Sequence, residues 1–340
     1  MSAAPHKSKQ MSKDSEYYKI SNGDMSAVLI PFGASLTDLR FTSDNMPLVL
    51  GYKDAETYEE DGQFLGAVIG RYANRIAGGN SYVDGHRLTL EKNDMQINHL
   101  HGGSNGFSQK KWHLDSISVD HAAFSIVSPD GESGYTGTLQ LTAVYELIGP
   151  ASLRLTFRAQ TDKATIINIC HHPYFNFAGG GSIDKHQLMI MADHYLPSGD
   201  KLVPTGEITP IIDGWFDFRK PRFVDQFQYN NTYCLHQKQK GELRHGATLS
   251  GHGVSMELWT TQPGLHFYNG YKLNGLALGH LDRSYDAGSG LCLEAQAWPD
   301  SPNRANFPNV VLRAGEIYQQ VTEYRFKKST PFETGFVWGH

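Results

Sequence analysis

Alternation with a period of two runs through most of this chain. Between Thr138 and Leu147, apolar Leu139, Leu141, Ala143, Tyr145 and Leu147 fall on one side of an extended backbone. Leu153, Leu155, Phe157 and Ala159 do the same against Arg154, Thr156, Arg158 and Gln160, and Ile148-Gly149-Pro150 supplies a turn between the runs. Successive strand residues point to opposite faces, so the pattern predicts a β-hairpin with one buried face. Further strands are predicted over Met25–Ile30, Ser35–Phe41, Gln187–Ala192, Val254–Thr260, His266–Tyr271, Gly290–Gln296 and Glu316–Phe326. Turn pairs such as Asp84-Gly85, Asp130-Gly131 and Ser198-Gly199 punctuate them. No stretch of helical length carries an amphipathic period, and the one helical hint is a short one around Ser108 to Trp112. With no internal repeat, low-complexity linker or charge block, the expectation is one all-β domain of stacked sheets over 17–340. Residues 1–16 are polar and read as a disordered lead-in.

Composition narrows the classes. The chain has 340 residues, 39% of them hydrophobic, which suits a large β domain with a sizeable core. A net charge of -5 with mixed signs provides no basic stripe, so nucleic acid is not an expected partner. No run approaches the roughly 18 apolar residues of a membrane span, so no membrane association is expected. The segment from Met1 to Ser15 has no apolar stretch of the kind a secretory signal needs, which makes cytoplasmic residence the default. Met1 and Met11 both stand as candidate starts. Cys170, Cys234 and Cys292 are three and widely spaced, so no disulfide framework is implied. Cys170 and Cys292 sit in apolar strand-like runs and read as small buried hydrophobes.

Chemistry concentrates in a few segments. Asn74 and Arg75 stand in Gly70-Arg71-Tyr72-Ala73-Asn74-Arg75-Ile76. They could present several donors to hydroxyl oxygens, or form a surface salt bridge and a turn. In Asn98-His99-Leu100-His101-Gly102-Gly103, His99 and His101 would share one face of a strand, as structural residues, as hydroxyl-binding residues or as half of a metal site. A third and fourth ligand are not supplied at recognisable spacing, and no metal is expected. His171 and His172 are adjacent and must point to opposite faces of a strand, so one would be functional and the other supporting. Glu294 follows Leu291-Cys292-Leu293; a carboxylate in so apolar a strand is costly unless paired. It is either an ion-pair partner of an arginine or a group with a perturbed pKa at a functional site.

Taken in order, these segments resemble the galactose mutarotase (aldose 1-epimerase) family from about Tyr18 to Phe326. Ser128-Pro129-Asp130-Gly131-Glu132-Ser133-Gly134-Tyr135, His172-Pro173-Tyr174-Phe175-Asn176-Phe177, Val203-Pro204-Thr205-Gly206-Glu207, Phe216-Asp217-Phe218-Arg219 and Glu294-Ala295-Gln296-Ala297-Trp298-Pro299-Asp300 complete the set. The resemblance implies a large antiparallel β-sandwich with a sugar site in a cleft on one sheet. It implies interconversion of the α and β anomers of an aldose, with Glu294 as general base on the anomeric hydroxyl and a protonated His172 as general acid on the ring oxygen. Asn74, Arg75, His101 and Tyr174 would lie in the sugar site. No cofactor is implied; the partner is a small-molecule sugar and the state a monomer or homodimer.

Two departures concern substrate choice. The family usually carries Asp-His-Asn-Phe where this chain reads Asn230-Asn231-Thr232-Tyr233, so Asn230 replaces a sugar-binding aspartate. His266 follows Pro263-Gly264-Leu265 where a glutamine is common, and His171 replaces a common asparagine. The acid–base pair is retained while the hydroxyl-reading residues differ. Three functions are therefore weighed: a mutarotase, the same pair acting on another hemiacetal, lactone or sugar-derived substrate, and a carbohydrate-binding protein without catalysis.

Overall fold

The alternating hairpin becomes the middle of a large sheet. The computed structural model describes residues 17–328 apart from 61, 237 and 240, so the expected lead-in lies outside the described residues. A nine-stranded sheet runs in the order Arg222–Phe223, Gln187–Ile190, Arg244–Gly251, Val254–Thr260, Tyr318–Lys328, Ser152–Thr161, Leu139–Ile148, His121–Ser128 and His113–Ile117. Its pairs are antiparallel, and the hairpin register runs unbroken from Leu139↔Thr161 to Ile148↔Ser152. A five-stranded sheet orders Thr209–Pro210, Ala192–Leu196, Asn230–Leu235, Gly264–Tyr268 and Cys292–Gln296. The inward face of the first sheet (Leu155, Phe157, Leu258, Tyr324) and that of the second (Tyr233, Leu265, Phe267, Leu293) contribute to one hydrophobic core. This is the stacked all-β architecture that the alternation predicts.

Local differences have local causes. The expected strand Gln187–Ala192 is two strands, because the chain passes Met191 and crosses from the nine-stranded sheet into the five-stranded one. The strand expected over His266–Tyr271 runs instead from Gly264 to Tyr268. It stops at a turn where Gly270 has φ +66° and a Cβ would lie 2.3 Å from the Gly290 carbonyl oxygen. A six-residue α-helix, Ala55–Glu60, escapes the period test because it is short and buries one side chain, Tyr58. The helical hint near Ser108 is a single 3-10 turn, Phe107–Gln109. Among the described residues no helix is long and apolar enough to cross a membrane.

Candidate active site

Three neighbouring strands of the five-stranded sheet place a row of polar side chains on the face turned from the core. Leu293 and Ala295 point inward, so Glu294 points outward. Register puts His266 opposite Glu294 and Thr232 opposite His266. His172 enters from a separate segment just after the two-residue strand Cys170–His171, which pairs with Val68–Ile69. Its backbone N–H donates to the Ala67 carbonyl at 3.0 Å and its carbonyl accepts from the Gly66 N–H at 3.0 Å. This brings His172 Nε2 to 3.6 Å from Glu294 Oε1, with the two side chains 5% and 2% exposed. Two residues remote in sequence thus form a buried histidine–carboxylate pair.

Loops from the segments around Asn74 and His101 close around the pair. His101 has φ +52°, and its Nδ1 accepts the Asn74 N–H at 3.1 Å. The next residue, Gly102, has φ +86°, and a Cβ there would lie 1.9 Å from the Gly70 carbonyl oxygen. Glycine is required for the two loops to meet. The His101 ring lies 5.8 Å from His172 and 5.0 Å from Phe64. Arg75 donates from Nε to Asp94 Oδ2 at 2.8 Å, and no hydrogen bond within the described protein engages its other two nitrogens. Asp300 ties this loop to the Glu294 strand: its N–H donates to the Arg75 carbonyl, and its Oδ1 accepts from the Ala77 N–H.

Burial governs protonation. It raises the Glu294 carboxyl to about 8, against smaller lowering contributions from the Cys170 thiol and the Arg75 charge. It lowers the His172 imidazole to about 4. Between these values the pair holds one proton, and burial favours its place on Glu294. Burial thus opposes the protonated His172 that the resemblance implies, because the imidazolium loses its hydration at a position 5% exposed. His101 and His266 are also lowered by burial, His266 to about 3. A neutral His266 must donate from Nε2 to the Asn230 Oδ1, 2.7 Å away, because a carbonyl oxygen only accepts. Its Nδ1 then accepts the Thr232 hydroxyl at 2.8 Å. Asn230 keeps its amide N–H groups, one of which reaches Tyr271 Oη at 3.5 Å.

The sequence candidates separate into three groups. His172, Glu294, His101, Asn74, Arg75, His266 and Asn230 gather around one another. Tyr174 packs its ring 5.2 Å from His172, and its hydroxyl donates to the Gln63 carbonyl at 3.1 Å, which fixes the ring beside the pair. His99 does not share a face with His101, because the backbone leaves the strand at His101. It is buried against Tyr135 Oη at 2.5 Å and the Glu91 carbonyl at 2.7 Å, a structural role. His171 points away from His172 as strand geometry requires, to the Gly66 carbonyl at 3.1 Å and Tyr324 Oη at 3.2 Å. Among the described residues no group of three or more His, Cys, Asp or Glu could hold a metal.

Sequence reading missed Phe64 and Gln296. Phe64 is a non-glycine residue at φ +62° with its ring against both His101 and His172. Such conformations cluster at functional sites, but residue type gives no hint of them. Gln296 lies two residues beyond Glu294 on the same face, and neither its amide nitrogen nor its oxygen has a partner among the described residues. The signal for Gln296 was its spacing from Glu294 on an alternating strand.

Comparison with known proteins gives a concordant result. Residues 16–325 match a family model described as aldose 1-epimerase. A human protein named galactose mutarotase is 38% identical over 327 residues, spanning 92% of this chain and 94% of its own. An Escherichia coli protein named aldose 1-epimerase is 32% identical over 338 residues, spanning 93% and 97%. Among solved structures, an aldose epimerase homologue from C. elegans superposes with a TM-score of 0.86 at 26% identity, over 92% of this chain and 99% of the other. A galactose 1-epimerase from Lactobacillus acidophilus NCFM gives 0.81 at 25% identity, over 94% and 97%.

Proposed function

The chain belongs to the aldose 1-epimerase family and is an isomerase of that class, and we propose that Glu294 and His172 carry its two proton transfers. A ring hemiacetal opens when the anomeric hydroxyl loses a proton while the ring oxygen gains one. In the forward half, Glu294 Oε1 takes the hydroxyl proton and His172 Nε2 gives its proton to the ring oxygen. The bond between the anomeric carbon and the ring oxygen breaks, leaving the open-chain aldehyde. Rotation about the adjacent carbon–carbon bond presents the other carbonyl face. His172 then recovers the proton, Glu294 returns one to the carbonyl oxygen, and the ring closes as the other anomer.

The pair holds one proton throughout this cycle, on His172 with the closed ring and on Glu294 with the open chain. Burial in the empty site favours the second distribution. A bound ring oxygen accepting from Nε2, and the Arg75 charge that lowers Glu294, favour the first. The observation that carries the assignment is the 3.6 Å approach of the two buried groups. A lectin needs no such pair, which disfavours a purely binding role.

For the sugar itself, Arg75, Asn74, His101, Asn230 and Gln296 are the proposed hydroxyl readers. The human relative is a galactose mutarotase. Here, Asn230 offers N–H donors where the family usually offers a carboxylate, and its oxygen is already committed to His266. Galactose is therefore proposed to be a poor substrate. Polarimetry and proton exchange on a panel of freshly dissolved aldoses test both levels. Accelerated anomer exchange for at least one aldose is expected, with galactose not the best. No acceleration for any aldose would remove the function, and galactose as the best substrate would remove the specificity.

A further inference from the structure

The acid–base pair has an unusual set of hydrogen-bond partners. The Cys170 thiol lies 3.4 Å from Glu294 Oε2, and the Cys292 thiol lies 3.4 Å from His172 Nδ1. Both cysteines are completely buried. Among the described residues these thiols are the side chains that hydrogen-bond to the two groups, the 3.6 Å contact between the pair itself aside. The arrangement is crossed. Cys170 precedes His172 by two residues and touches Glu294; Cys292 precedes Glu294 by two residues and touches His172. A spacing of two puts each thiol on the same side of its segment as that segment's own acid–base group. When the segments meet, each thiol reaches the group opposite.

We propose that Cys170 and Cys292 are positioning residues for the acid–base pair, each orienting the group that the other's segment supplies. The proposal rests on the reading of Glu294 and His172 as the proton carriers. A thiol suits the task because it is a weak donor and a weak acceptor without charge. Burial pushes both thiols well above the ordinary thiol range, so they remain S–H. Cys170 donates to Oε2 and leaves Oε1 facing His172. Cys292 accepts from the Nδ1–H, which is present both in the imidazolium and in the neutral ring whose Nε2 takes the proton back, so it holds the ring plane in either protonation state. A charged partner at either position would fix the shared proton on one side and oppose its transfer.

Other groups also bear on the pair, and the test must separate them from the thiols. Glu294 faces His172 across the site and His266 on the adjacent strand, and it feels the Arg75 charge. Tyr174, Tyr268 and Tyr324 are neutral phenols near it, each raised by burial. His172 faces His101 and the Tyr174 ring. All of these remain in the cysteine variants.

The experiment compares the parent with Cys170→Ala, Cys170→Ser, Cys292→Ala, Cys292→Ser and Glu294→Gln, on the best aldose from the panel. Infrared titration follows the Glu294 carboxyl, and the pH profile of anomer exchange follows turnover. Removing the donor in Cys170→Ala should raise the Glu294 titration, while the stronger hydroxyl donor of Cys170→Ser should lower it, each by roughly half to one pH unit. Cys292→Ala should cut kcat roughly tenfold with KM little changed, and Cys292→Ser should move the acid limb upward by favouring the imidazolium. A role confined to packing predicts altered melting temperatures with unmoved titrations. The proposal is overturned if the two Cys170 variants shift Glu294 in one direction or not at all, or if the Cys292 variants leave both kcat and the acid limb intact. Full turnover in Glu294→Gln is a different result: it removes the acid–base reading itself.

Discussion

The two sheets share one alternation but use their outer faces differently. On the nine-stranded sheet the outward positions meet water or pair there, as Arg154 and Arg325 do with Glu323. On the five-stranded sheet the outward row Thr232, His266 and Glu294 is polar yet buried, with exposures of 2%, 5% and 2%. Burying polar groups costs stability unless each is partnered, and the partners here are chosen for chemistry: thiols, a neutral histidine and a hydroxyl. Both sheets hold the molecule together through their shared core, and the outer face of the second also carries buried groups whose titration is shifted by burial.

The comparison breaks most readily at the pair. Glu294→Gln and His172→Asn should each lower anomer exchange by roughly 10²–10⁴-fold while circular dichroism remains that of the parent. Near-normal exchange in a folded Glu294→Gln protein would take the chemistry out of this face.

Stability should respond in the opposite sense on the two sheets. Phe157 is fully buried in the shared core, so Phe157→Ala should lose about 3–5 kcal/mol in denaturant unfolding. Glu294 behaves differently. Its folded carboxyl titrates at about 8 against an ordinary 4.5, so the folded state holds a proton that the unfolded chain releases. The associated stability is complete below the ordinary value and is lost as pH rises through about 8. Glu294→Gln should therefore melt above the parent at alkaline pH and close to it in acid. Equal melting of the two proteins across the range would mean that Glu294 titrates normally.

A smaller effect is expected at Asn230. A charge-assisted hydrogen bond contributes about 1.5–3 kcal/mol, and 1.4 kcal/mol is about a factor of ten in affinity. Asn230→Asp should raise kcat/KM for galactose about tenfold. Unchanged or poorer galactose turnover would show that this side chain does not read the sugar. Exhaustive chelation should have the smallest effect of all, leaving activity unchanged; loss that zinc restores would reassign the histidine cluster.

Legibility in the sequence follows the same division. Strands such as Met25–Ile30, Ser35–Phe41 and Val254–Thr260 were readable to the residue because their alternation reports one buried face. Glu294 stood out because a carboxylate in an apolar run needs a reason. Geometry that depends on loops was not readable. The turn at His101 separates it from His99, and the left-handed Phe64 carries no mark in residue type. Cys170 and Cys292 read correctly as buried, but burial alone did not reveal their polar contacts, which arise only when two segments far apart in sequence meet. The identity of Asn230 was visible, whereas the direction of its hydrogen bonds needed the neutral, buried His266 beside it.

The central claim is that a buried pair holding a single proton opens and closes the ring. Its most direct test is the pH dependence of kcat/KM for anomer exchange, which reports the groups of the free protein, followed by magnetisation transfer between the two anomeric protons of the best aldose. With His172 held at about 4 and Glu294 at about 8, the rate should be flat between those values and fall on both sides. A rate that climbs steadily with pH through and beyond that range would indicate a lone base, and would contradict it.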